Sequence, residues 1–158
     1  MQKLVRSKGR TNMFNSMKKG FTLIETLITI GLIAFLASIV IIAINPARQF
    51  AQARNAKRRA DVVTILDAIY QNMAENGEWS CPVAIPTTTS TIASSGGVDL
   101  CDCLVPTYVA EMPYDPSTGS YTDCDNYDTK YQIVKSSANR ITVSAPDAEL
   151  GETISVTR

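Results

Sequence analysis

Residues 21–44, FTLIETLITIGLIAFLASIVIIAI, hold a single charge, Glu25, in a run that is otherwise apolar or weakly polar. As a helix rising about 1.5 Å per residue this run is roughly 36 Å long, enough to cross a hydrocarbon core of about 30 Å. The run therefore predicts a membrane helix. A formal charge of zero hides a strong asymmetry: residues 1–20 carry six Lys/Arg and no acid, whereas residues 21–158 carry nine bases against fifteen acids. The two parts are expected to meet different fates. With 158 residues, the chain has room for one modest domain beside this helix, not for two.

A basic leader before an apolar run has the layout of a secretory signal, but that class has an apolar stretch of only about 7–15 residues followed by a small-residue cleavage site. This run is too long. The alternative is a cut before the run, between Gly20 and Phe21, that leaves the helix in the mature chain. The stretch KKGFTLIE, with Lys18, Lys19, Gly20, Phe21, Thr22 and Glu25, resembles the processing site of type IV prepilins and of the pseudopilins of type II secretion. The resemblance implies cleavage after Gly20 by a prepilin-type aspartyl peptidase of the membrane and N-methylation of the new amino terminus on Phe21. It also implies delivery to an inner-membrane assembly platform and polymerisation through the apolar helix into a homo-oligomeric filament. Both flanks of the span are basic, so the positive-inside rule does not set orientation. The leader does, with residues 1–20 cytoplasmic, a single pass through the cytoplasmic membrane and the remainder outside, later in an extracellular or envelope filament.

Glu25 is one helical turn from the new terminus. In such filaments its implied partner is the Phe21 amine of an adjacent subunit. The competing physical reading is that Glu25, about 6 Å into the membrane while lipid surrounds the helix, reaches back to the interface at little cost.

Beyond residue 44, Val62, Ile65, Leu66, Ile69, Tyr70 and Met73 recur at helical spacing, and Gly77 is a plausible C-cap. Residues 21–76 thus predict one long helix with a lipid-buried half (21–44) and an amphipathic half (45–77), kinked or loosened at Asn45-Pro46. Arg48, Arg54, Lys57, Arg58 and Arg59 form a basic cluster just past the span, open to a nucleic-acid or an anionic-lipid role. Gln and Ala are interleaved there rather than the aromatics used to stack nucleic-acid bases, so the cluster is read as a solvated or subunit-contacting stripe and no specific nucleic acid is predicted.

From residue 78 the chain is rich in Ser, Thr, Pro, Gly and Asp and reads as loops, with a short ordered element at 105–112 before the PYDPSTG turn. KYQIVK (130–135), RITVSA (140–145) and TISVT (153–157) alternate and are β-branched, as half-buried antiparallel strands are. The predicted class is α+β: a long N-terminal helix packed on a small antiparallel sheet of three or four strands, with residues 78–158 as the head. Tyr108, Pro113, Asp115 and Pro116 resemble the stretch that turns small pilins and major pseudopilins into their sheet, which makes the expected fold pilin-like.

Cys81, Cys101, Cys103 and Cys124 all lie in the part expected outside the cytoplasm, where thiols oxidise. Two disulfides are expected. Residues two apart rarely meet disulfide geometry, so Cys81 pairs with one of Cys101 and Cys103 and Cys124 with the other. The spacing fits no zinc pattern and there is no histidine. Asp123, Asp125 and Asp128, with Asp115 nearby, offer the hard oxygens that calcium favours, and major pseudopilins bind calcium in this region. Calcium is the one candidate cofactor; the lack of an EF-hand Gly and trailing Glu favours a solvated acidic loop instead. Without histidine, a phosphate loop or a dinucleotide fingerprint, the chain offers little for catalysis and is read as structural. The leading function is a subunit of a type IV pilus-like filament. The alternative is a pseudopilin of a secretion or DNA-uptake machine, and a third reading is a membrane-anchored binding module that never polymerises, which would need neither Glu25 nor cleavage at Gly20.

Overall fold

The computed structural model describes residues 20–158, in two compact units divided between Ala43 and Ile44. In the first, helix α1 (Leu23–Ile44) has no buried residue, and its leucines and isoleucines point outward all round. It is long and apolar enough to cross a membrane, with a mean hydropathy of 3.0. A helix apolar on every side must cover itself with lipid or with other helices.

Helix α2 (Pro46–Asn76) opens the second unit. Instead of one helix loosened at Asn45-Pro46, the structure has two, because Asn45 adopts φ 47° and ψ 77°. Proline disfavours a helical conformation at the residue before it, asparagine tolerates the left-handed region, and proline suits the first helical position, where no N–H is needed. The Asn45 side chain then accepts a hydrogen bond from the Arg48 N–H at 3.3 Å, a cap on the new helix. Gly77, at φ 80°, ends α2 as its spacing predicts.

The head is a five-stranded antiparallel sheet: β1 (Ser90–Ala93), β2 (Ser120–Asp123), β3 (Asn126–Lys135), β4 (Ile141–Ala145) and β5 (Ile154–Thr157), ordered β1-β3-β4-β5 with β2 also on β3. The register places Gln132 opposite Ser144, Val143 opposite Val156 and Tyr121 opposite Tyr127. This puts Tyr127, Thr129, Tyr131 and Ile133 of β3 and Ile141, Val143 and Ala145 of β4 on the buried face. There all but Thr129, whose hydroxyl donates to the Ile92 carbonyl at 2.8 Å, join Val62, Ile65, Leu66 and Ile69 of α2 in one apolar core. Burying each such side chain contributes about 1.5–3 kcal/mol, which holds helix and sheet together.

The three strands located in the sequence are found as β3, β4 and β5, but the sheet has five strands rather than three or four, because β1 and β2 arise in the stretch read as loops. The short ordered element is also displaced. It is α3 (Cys101–Leu104), followed by turns and a cis Val105-Pro106 bond, because Leu104 and Met112 are fully buried and fix that segment from both ends.

Candidate processing and assembly site

Gly20 and Phe21 precede α1 in an exposed, non-helical stretch, and among the described residues nothing lies within 4 Å of where a Cβ on Gly20 would stand. Phe21 is 81% exposed. Lys18 and Lys19 lie outside the described residues. At the start of α1 the Thr22 hydroxyl accepts from the Glu25 N–H at 3.3 Å, while the Glu25 carboxylate takes a long 3.5 Å contact from the Thr22 N–H. This reciprocal capping box turns Glu25 back toward the junction with Phe21. Thr26, Thr29 and Ser38 donate their hydroxyls to carbonyls of Leu23, Glu25 and Phe35 at 2.7–2.9 Å, so their polarity is satisfied within the helix. Glu25 is thus the one charge of an apolar helix, with its carboxylate against the Thr22 N–H, one residue past the Gly20–Phe21 bond.

The segment also matches beyond its geometry. Residues 15–44 fit the family model of the prokaryotic N-terminal methylation motif. The chain carries a prepilin-type signal. The motif ends at Ile44, the last residue of α1. Searches of curated proteins and of solved structures returned no match to the chain. A prepilin-type signal on an apolar helix and an α+β, pilin-like head therefore characterise the chain, and signal and helix together point to membrane anchoring and to a substrate of the prepilin peptidase.

In the head, the four cysteines form Cys81–Cys103 and Cys101–Cys124, with Cα–Cα distances of 5.6 and 5.3 Å. α3 makes the crossing workable by presenting Cys101 and Cys103 from a single turn to two different loops.

Of the basic cluster, Arg48, Lys57 and Arg59 are exposed and Arg54 is half-buried, but Arg58 departs from a solvated stripe. Arg58 is 1% exposed, and its guanidinium takes both oxygens of Asp115 at 2.6 and 3.1 Å, Glu149 at 2.8 Å, and Asn55 and Ser117 at 2.9 Å each. Arg54 grips Glu149 with two contacts of 2.6 Å. Asn55 pairs with the Glu149 backbone in both directions, at 2.8 and 2.9 Å. Lys57 meets Asp61 at 3.0 Å and Arg59 meets Glu152. The hydrogen bond to Asp115 leads the causes that push the Arg58 pKa up. Burial pulls the Asp115 carboxyl upward, but Arg58 and the amides of Ser117 and Thr118 outweigh it and leave its pKa lowered. Arg54 first, then Arg58, hold the Glu149 carboxyl down at about 2.

This corrects the ligand set drawn from the sequence. Asp115 is 1% exposed and committed to Arg58, Ser117 and Thr118. Asp128 pairs with Lys130 at 2.6 Å, and Asp123 accepts from the Asp125 N–H at 3.1 Å. Asp115 therefore does not join Asp123, Asp125 and Asp128, and among the described residues no group of three or more His, Cys, Asp or Glu converges. Ala51, Asn55, Arg58 and Val62 already carry the three- and four-residue spacing that leads into the apolar stripe; that periodicity was the signal by which Arg58 could have been placed inside.

Proposed function

We propose that this protein is a structural subunit of a type IV pilus-like filament. It is cleaved after Gly20, N-methylated on Phe21 and polymerised through α1. The observation that carries the reading is the methylation motif at residues 15–44 coinciding with a helix whose entire apolar surface is uncovered and whose one charge is Glu25. Residues 1–20 act as the leader, 21–44 as the membrane and polymerisation segment, 45–77 as the helix that carries the head, and 78–158 as the stapled head. Membrane lipid covers α1 before assembly. Within a filament, neighbouring helices replace that lipid and the Phe21 amine of an adjacent subunit meets Glu25, offsetting the cost of a carboxylate among Leu, Ile and Phe side chains. The protein's chemistry is received from the peptidase and methyltransferase. Mass spectrometry of the amino terminus of membrane-extracted protein tests this: a chain beginning at N-methylated Phe21 is expected, and a functional form retaining residues 1–20 would refute it.

A further inference from the structure

The turn between β4 and β5 places a bulky residue where the backbone resists one. Leu150 has φ 60° and Gly151 φ 71°, and the Glu152 N–H donates to the Glu149 carbonyl at 3.2 Å. Tight turns with two left-handed residues normally take Asn-Gly or Asp-Gly, because a Cβ is disfavoured there. The flanks of this turn are pinned: Glu149 by Arg54, Arg58 and Asn55, and Glu152 by Arg59. Leu150 is thereby held outward and half exposed. Beside it are Asn45, Ala47 and Arg48, and the four residues line a shallow, open concavity of about 460 Å³. Arg54, Lys57, Arg58 and Arg59 all have acidic partners, whereas Arg48 has none among the described residues.

A strained apolar tip beside an uncompensated cation is the pattern of an amphiphile's seat. Its place in the chain decides which amphiphile. Asn45 directly follows Ile44, the end of the apolar helix, so a group touching Asn45 stands where a spanning helix leaves the hydrocarbon. Phospholipid headgroups are concentrated there before a second subunit arrives. We propose that Asn45, Ala47, Arg48 and Leu150 seat an anionic phospholipid headgroup, with Arg48 on the phosphate and Leu150 against the upper acyl chain. The seat rests on the reading that α1 spans the membrane.

Native mass spectrometry tests it on the full chain in detergent, titrated with dioleoylphosphatidylglycerol or dioleoylphosphatidylcholine. The wild type is expected to take a first phosphatidylglycerol in preference to phosphatidylcholine. Arg48→Gln should weaken that adduct about fivefold, the effect of one basic residue at an anionic surface. Leu150→Gly should weaken it too while relieving the backbone, with the head's near-ultraviolet circular dichroism unchanged. Equal binding of the two lipids by the wild type, or wild-type adducts in both variants, would overturn the seat. So would loss of chain-to-chain cross-links in Arg48→Gln with lipid adducts unchanged, which would give the concavity to a second copy. Carbonate washing of membranes separates the underlying reading: stripped protein defeats both, and integral protein without lipid preference defeats the seat alone.

Discussion

Arg58→Met removes the guanidinium and keeps most of the buried stem, so it isolates the charge pairing between α2 and the loops that follow α3 and β4. Breaking a buried pair from one side costs about 3–5 kcal/mol, because the partner stays behind uncompensated. Here Asp115 keeps the amides of Ser117 and Thr118 at 2.8 and 3.1 Å, and Glu149 keeps Arg54. That places the loss at the lower end, about 3 kcal/mol, and for a folded unit of this size it lowers Tm by about 12 °C. The measurement is thermal unfolding of the oxidised full chain in detergent at pH 7, followed by near-ultraviolet circular dichroism of Trp79 and the tyrosines. The sign with pH is a second check. Asp115 and Glu149 both have lowered folded pKa values, so their contribution is complete above the ordinary carboxylate range of about 4 and fades as pH falls, for Glu149 through about 2. In the variant Asp115 is buried without its cation and protonates more readily, so the gap between variant and wild type must narrow on acidification. A Tm drop below about 4 °C at pH 7, or a gap that widens toward acid, would refute this account.

Four further outcomes are expected. Gly20→Val blocks maturation, since a β-branched side chain obstructs close approach of a peptidase to the backbone, and an immunoblot showing mature-sized protein would contradict it. Glu25→Ala leaves insertion and leader removal intact but strongly reduces sheared fibres by electron microscopy; fibres as long and abundant as wild type would mean the carboxylate does not set register. Gly119→Ala destabilises the head by about 2 kcal/mol, as its Cβ would stand 2.6 Å from the Asp115 backbone nitrogen and 3.0 Å from two carbonyl oxygens, and an unchanged Tm would show that the turn can yield. Non-reducing mapping of exported protein should return Cys81–Cys103 and Cys101–Cys124 with no free thiol; because no Lys or Arg lies between Arg59 and Lys130, it requires cleavage before Asp102 rather than trypsin.

The sequence displayed the parts whose physics is local. The apolar run of α1, the Gly77 cap and the alternation in β3, β4 and β5 each follow from periodicity within a single segment. β1 and β2 escaped because STIA and SYTD are four-residue strands among Ser, Gly and Asp, stabilised by the partner strand β3 rather than by their own pattern. The break at Asn45 was legible as a proline effect, but not as a complete end to the helix. The fate of Arg58 depended on Asp115 and Glu149, 57 and 91 residues away, and no spacing within α2 names partners at that distance. At the processing site, Glu25 was visible as a misplaced charge, whereas its reciprocal bond with Thr22 belongs to the folded helix start.

The two crossed disulfides change how the head would carry tension. A pull transmitted from the end of α2 to β3 need not travel along the backbone from residue 81 to 124. It passes from Cys81 across to Cys103, through Asp102 to Cys101, and across to Cys124. Of the whole segment only residues 101–103 lie in the line of force, so β1, β2 and the loops around them can be peeled from β3 without the head lengthening by their contour. The same crossing means that a single cut anywhere between Cys81 and Cys124 severs no part of the protein from the rest, so the head keeps its covalent continuity after one proteolytic nick.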